Sequence, residues 1–127
     1  MDKCLKFARE HCVLLSVAAL LMLFAIISAA SVQRKYLTVD ESVYIAAGYS
    51  YLKTGDFRIN PEHPVLGKAL FALPLLALNP NLPLERPNWA HSAETGGVGY
   101  YYGFAADFYD ANPGMFFQVV FPARMVV

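Results

Sequence analysis

Residues 12–32 read C-V-L-L-S-V-A-A-L-L-M-L-F-A-I-I-S-A-A-S-V, without one charged side chain. A helix needs about 20 apolar residues to cross a hydrocarbon core of about 30 Å, and this run reaches that length. Its only polar side chains are Ser16, Ser28 and Ser31, whose hydroxyls can bond back to the helix's own carbonyls. Arg34 and Lys35 follow at once and can extend to the headgroups. The run therefore predicts a transmembrane helix over 12–32 and, with it, an all-α integral membrane fold. A cleaved signal peptide is the rival, because the small residues Ser28, Ala29, Ala30 and Ser31 resemble a processing site. A signal peptide's apolar core is only about 7–15 residues, which favours a retained anchor. Either way, the residues after the span lie across the membrane from the cytoplasm. Charge orients the span weakly: Lys3, Lys6 and Arg9 precede it, among Asp2 and Glu10, and Arg34 and Lys35 follow it.

Composition agrees with a membrane setting. Of 127 residues, 57% are apolar and 16% charged, against about 45–50% and about 25% in soluble domains. Formal net charge is zero, so no nucleic-acid or acidic-polymer partner is indicated. Cys4 and Cys12 do not have zinc or redox spacing and read as small apolar fillers. There is no internal repeat, and G-G-V-G at 96–99 lacks the Lys-Ser/Thr that a phosphate loop needs.

Outward from the span, residues 33–114 read as one extracytoplasmic loop. Its polar residues concentrate in 38–68, T-V-D-E-S-V-Y-I-A-A-G-Y-S-Y-L-K-T-G-D-F-R-I-N-P-E-H-P-V-L-G-K. T-V-D-E has capping-box spacing: the Thr38 hydroxyl can take the Glu41 amide, and the Glu41 carboxylate can reach back. This predicts a helix over about 39–53, ended by Gly55. Val43, Ala46, Ala47 and Ser50 form one face, with Tyr44, Tyr51 and Leu52 beside it, as in an amphipathic interfacial helix. In N-P-E-H-P, Pro61 and Pro64 fix φ and hold Glu62 and His63 in a stiff turn. A second helix is expected over 64–78, kinked at Pro74. It is too short to span and is read as juxtamembrane or re-entrant.

Residues 79–99 read as a loop, with Trp89 and Tyr100, Tyr101 and Tyr102 suited to a membrane interface. A short helix is expected over 100–109, and Asn112-Pro113-Gly114 is a turn. Residues 115–127, M-F-F-Q-V-V-F-P-A-R-M-V-V, read as the start of a second transmembrane helix. The expectation is thus an N-terminal part of a longer, multi-pass protein, most simply of the bacterial cytoplasmic membrane.

The loop carries the candidate chemistry. Adjacent residues on a helix point about 100° apart, so Asp40 and Glu41 need not share a task. Glu41 has the capping role, which leaves Asp40 available as a general base or metal ligand. Glu62 and His63 pair an acid with a titratable base. Glu62 is also a possible ligand for a divalent metal. Lys68, in an apolar helix, requires an anion or a route to water, and a lipid phosphate would serve. His11 and His91 have no supporting neighbours in sequence.

One transmembrane helix, then D-E-x-x-Y with G-Y and Y-L, then N-P-E-H-P-x-L-x-K, then F-P-A-R resembles the protein O-mannosyltransferase and aminoarabinose-transferase group. These are GT-C membrane glycosyltransferases, including glycosyltransferase family 39. The resemblance covers nearly all of the chain, and the loop at 80–112 matches only loosely. The family more often has two prolines after the E-H or E-K pair, where this chain has Pro64-Val65. The resemblance implies a polyprenyl-phosphate sugar donor and an extracytoplasmic acceptor, a protein or a glycolipid. It implies Asp40 as the catalytic carboxylate, supported by Glu41, with Glu62, His63 and Lys68 towards the donor phosphate and Glu62 a possible metal ligand. Residues 1–127 alone are expected to be inactive. The alternative is a non-enzymatic single-span protein whose loop binds lipid headgroups or a partner protein.

Overall fold

The computed structural model describes residues 11–95 and 97–126. The basic start with Lys3, Lys6 and Arg9, Cys4, Gly96 and Val127 lie outside the described residues. The chain divides into two units, Met1–Lys35 and Tyr36–Val127. Every described element is a helix.

The first unit contains α1, Cys12–Arg34. Within it, Cys12–Val32 is, among the described residues, the one helix long and apolar enough to cross a membrane. Its side chains point outward all round: Val13 is 74% exposed and Phe24 70%. A helix apolar on every side suits lipid rather than a one-sided core. It ends where Lys35 turns extended, at φ −97° and ψ 133°.

The second unit is built around α2, Val39–Thr54. Its start is the capping box that the T-V-D-E spacing predicts, with the Thr38 amide donating to Glu41 Oε2 at 3.3 Å. Its end is Gly55 at φ 72°, whose amide bonds the Tyr51 carbonyl at 2.9 Å. Unlike the amphipathic interfacial helix expected, α2 is the central helix. Val43 and every residue from Ile45 to Tyr51 are buried. Small residues explain this: Ala46, Ala47, Gly48 and Ser50 let neighbours approach on more than one side. The Ser50 hydroxyl is satisfied by the Ala47 carbonyl at 2.8 Å.

Residues 55–64 then turn back across α2. Arg58 pairs with Asp56 at 2.5 Å and lies 4.7 Å from the Trp89 ring centre. The Tyr51 hydroxyl donates to the Ile59 carbonyl. Asn60 adopts φ 53°, a left-handed conformation that asparagine tolerates better than most residues. Next, α3 (Val65–Ala72) packs on α2. The helix expected over 64–78 is broken, and α4 (Leu75–Leu78) is its second piece. Pro74 supplies no amide and would crowd the Leu70 carbonyl four residues back. That carbonyl instead accepts from Leu73 at 3.2 Å.

The stretch read as loop contains α5, Pro87–Thr95. Proline at the first helical position loses no bond there. Asp107 holds the start of α5 in place, accepting from Arg86 Nη1 at 3.0 Å and Asn88 Nδ2 at 2.8 Å. The short helix expected at 100–109 is α6, Val98–Asp110. It packs Tyr101, Phe104, Ala105 and Phe108 into the core. Full burial of one such aromatic side chain contributes about 1.5–3 kcal/mol. Asn112, read only as a turn residue, is buried. Its side chain accepts from the Asn81 amide at 2.7 Å and donates to the Asn81 and Phe108 carbonyls. The expected second span corresponds to α7, Phe116–Val126, an apolar helix of 11 residues. It packs Val119, Val120 and Ala123 inward, next to α3 and α4, and leaves Phe117 74% exposed.

Candidate functional site

Asp40 and Tyr44 lie one turn apart on α2, so their side chains share a face. Asp40 is exposed, and its Oδ1 accepts from the Tyr102 hydroxyl of α6 at 3.0 Å. The Tyr44 ring meets the His63 ring at 5.4 Å between centres, tilted by 58°. The acid of D-E and the histidine of E-H-P, from separate segments, therefore both neighbour Tyr44: Asp40 one turn before it on α2 and His63 against its ring. His63 and Glu62 are both exposed.

Glu41 points elsewhere. Its carboxylate takes Arg124 Nε on Oε1 and Nη2 on Oε2, the latter at 2.7 Å. Arg124 also donates to the Tyr36 carbonyl at 3.0 Å. Burial raises the Glu41 pKa, but bonding by Arg124 and the Thr38 amide outweighs it. The net result is a carboxyl below its ordinary value. Glu41 is thus an ionised cap tied to α7, and the adjacent acids have different surroundings, as the helical angle between them requires.

Lys68 is buried, only 2% accessible. Its ammonium donates to the Tyr51 hydroxyl at 2.9 Å, to Asn60 Oδ1 at 3.1 Å and to the Asn60 carbonyl. Those are three acceptors for three protons. Loss of hydration pushes its pKa down to about 8, partly opposed by the Glu62 charge. The expected anion partner is replaced by neutral protein groups. Lys68 fastens the N-P-E-H-P turn to α2 rather than facing outward beside His63. Tyr51, which shares this knot, is pushed up to about 12 by burial and by Tyr101.

The sequence-predicted residues therefore separate into two groups. Asp40, Glu62 and His63 are exposed; Glu41 and Lys68 hold the helix and the turn that carry them. Among the described residues no three His, Cys, Asp or Glu side chains gather as a metal-binding set. Tyr102, Tyr51, Asn60 and Arg124 acquire roles that sequence reasoning missed. Arg124 alone carried a signal, as a lone charge in an apolar run that needs a partner. Chemically, an exposed carboxylate with one oxygen anchored can accept a proton from a hydroxyl. An exposed imidazole can donate one.

Comparison with known proteins finds no matching family model, no significantly similar curated protein and no significantly similar solved structure.

Proposed function

We propose that the chain serves sugar transfer from a polyprenyl-phosphate donor to a hydroxyl of an extracytoplasmic protein or glycolipid, in the manner of GT-C membrane glycosyltransferases. The observation that carries this reading is that Asp40 and His63, both exposed, each neighbour Tyr44 of α2. Asp40 is the base. The acceptor oxygen forms its bond to the anomeric carbon as the carbon–oxygen bond to the phosphate breaks. The bonding pair leaves with the phosphate, and the acceptor's proton passes to Asp40 and then to water. Attack opposite the leaving group inverts the anomeric carbon. His63, as a hydrogen-bond donor, offsets charge growing on the departing phosphate. Glu62 adjoins it, and Lys68 contributes by fastening their turn. An apolar helix long enough to span would hold the chain in the membrane that carries a lipid-linked donor.

The test uses the native protein in proteoliposomes, with a panel of polyprenyl-phosphate sugars and hydroxyl acceptors. Transfer by wild type and its loss in Asp40→Ala, with membrane insertion unchanged, is the expected result. Failure of wild type across the panel, or full activity in Asp40→Ala, would overturn it.

A second, non-enzymatic reading is favoured by the exposed row Leu66, Leu70, Leu73 and Leu76 on and beside α3 and α4. On that reading the loop binds lipid headgroups. Leu66→Asp with Leu73→Asp lowers binding to vesicles, whereas Asp40→Ala does not.

A further inference from the structure

The carboxylate of Asp40 is held from outside its own motif. Tyr102, 62 positions later, donates its hydroxyl to Oδ1 at 3.0 Å. Among the described residues no other hydrogen bond reaches this carboxylate. The contact follows from how α6 is anchored. Tyr101 and Phe104 are 1% and 0% exposed in the core against α2. That fixes the rotation of α6 and brings the neighbouring Tyr102, 37% exposed, over the start of α2. A tyrosine ring has two side-chain torsions, so a hydroxyl carried by an anchored helix is a well-positioned donor. The two groups are also coupled electrically. The hydrogen bond to Asp40 is the largest cause raising the Tyr102 pKa, followed by its slight desolvation and by the charges of Asp40 and Tyr44.

We propose that Tyr102 is a positioning residue for Asp40, tying down Oδ1 so that Oδ2 is presented to the hydroxyl whose proton Asp40 accepts. This rests on the reading of Asp40 as the base. The terminal torsion of an aspartate is broad and two-fold, so a carboxylate at the first turn of a helix samples many orientations unless something holds it. Misplacement by about 1 Å can cost a reaction as much as about 100-fold. Tyr102 comes from the segment that resembles the transferase family only loosely, so the D-E and E-H-P motifs alone do not include it.

Two measurements on the native protein test this. The first is sugar transfer by Tyr102→Phe, which keeps the ring and removes the donor. Its turnover should fall about tenfold or more, with the donor KM within about twofold of wild type and helix content unchanged. The second follows tyrosine ring carbons by NMR, with the Tyr102 signal identified by its loss in Tyr102→Phe. That phenol should titrate above the ordinary tyrosine value of about 10 and return towards it in Asp40→Asn. Wild-type turnover in Tyr102→Phe overturns the proposal. So does a Tyr102 phenol with an ordinary titration that Asp40→Asn leaves unmoved, whatever the transfer assay reads. If wild type transfers from no donor while the titration is raised as expected, the base reading falls and takes the positioning role with it, while the Asp40–Tyr102 contact stands.

Discussion

Gly48 of α2 sits directly against the carbonyl of Lys68 of α3: a Cβ at position 48 would stand 1.9 Å from that oxygen. The two helices can pack this closely only because position 48 has no side chain. The same approach brings the Lys68 ammonium within reach of Tyr51, so the fit at Gly48 also sets the fastening of the N-P-E-H-P turn.

Gly48→Ala is therefore expected to force α3 away from α2 and to destabilise the second unit. Overpacking of this kind costs about 1–3 kcal/mol. Denaturant unfolding monitored by Trp89 fluorescence measures it. A Gly48→Ala variant as stable as wild type would mean that the helices do not lie this close.

Replacing Lys68 with Met removes a charge whose folded pKa is about 8, against about 10.4 for an unfolded lysine. Between those values the unfolded chain binds the extra proton, so wild-type stability rises with pH across that window. Below it, the burial penalty on the charged form is fully felt. Lys68→Met has no such dependence. Subtracting the Lys68→Met unfolding curve from the wild-type curve, pH by pH, should leave a difference that shifts in favour of wild type from pH 8 upward. A flat difference would contradict the burial of a charged Lys68.

The Glu41–Arg124 pair has side chains only 13% and 12% exposed. Removing one partner from a buried pair costs about 3–5 kcal/mol, and this rim position favours the lower end. Arg124→Met should therefore destabilise strongly, whereas Glu41→Leu with Arg124→Met should cost less than the sum of the single changes. The pair also has an acid signature. The folded Glu41 pKa is lowered, burial being outweighed by Arg124 and Thr38, so its stabilisation is present above the unfolded value of about 4.3. It is lost as pH falls through the lower folded value. Chemical unfolding of wild type and the double variant between pH 3 and 6 compares the two.

Arg at both Leu20 and Phe24 should weaken membrane insertion of α1, each costing about 2.5–3.5 kcal/mol at a helix centre. Alkaline carbonate extraction reads the outcome. Full retention in the membrane pellet would count against 12–32 as the anchor.

Different parts of this architecture were legible to different degrees. Length and absence of charge were sufficient to identify the helix over 12–32. Fixed spacing was sufficient for the Thr38–Glu41 cap and the Gly55 stop, because those contacts are made within one turn. The central position of α2 was not legible. Its sequence resembles a surface helix, and burial on more than one side depends on α3 and α6 arriving from later in the chain. The helix at 87–95 was hidden by the Pro, Asn and Gly around it, although Pro87 is a valid helix start. The site divides in the same way. Local spacing separated Asp40 from Glu41, but Tyr102 and Arg124 reach them across 62 and 83 positions. An apparent anion site at Lys68 became a buried fastening for a similar reason. Its acceptors, Tyr51 and Asn60, are paired with it only once the turn has folded back.

The bond from Arg124 to Glu41 also has a consequence for biosynthesis. The ribosome adds about 5–20 residues per second, so a separation of 83 positions leaves Glu41 without Arg124 for roughly 4–17 s. In that interval the start of α2 has only its local cap. Glu41 assumes its final electrostatic form late, through a contact whose loop-closure entropy makes it slow to form. A nascent chain stalled before residue 124 would hold the Glu41 carboxylate by the Thr38 amide alone.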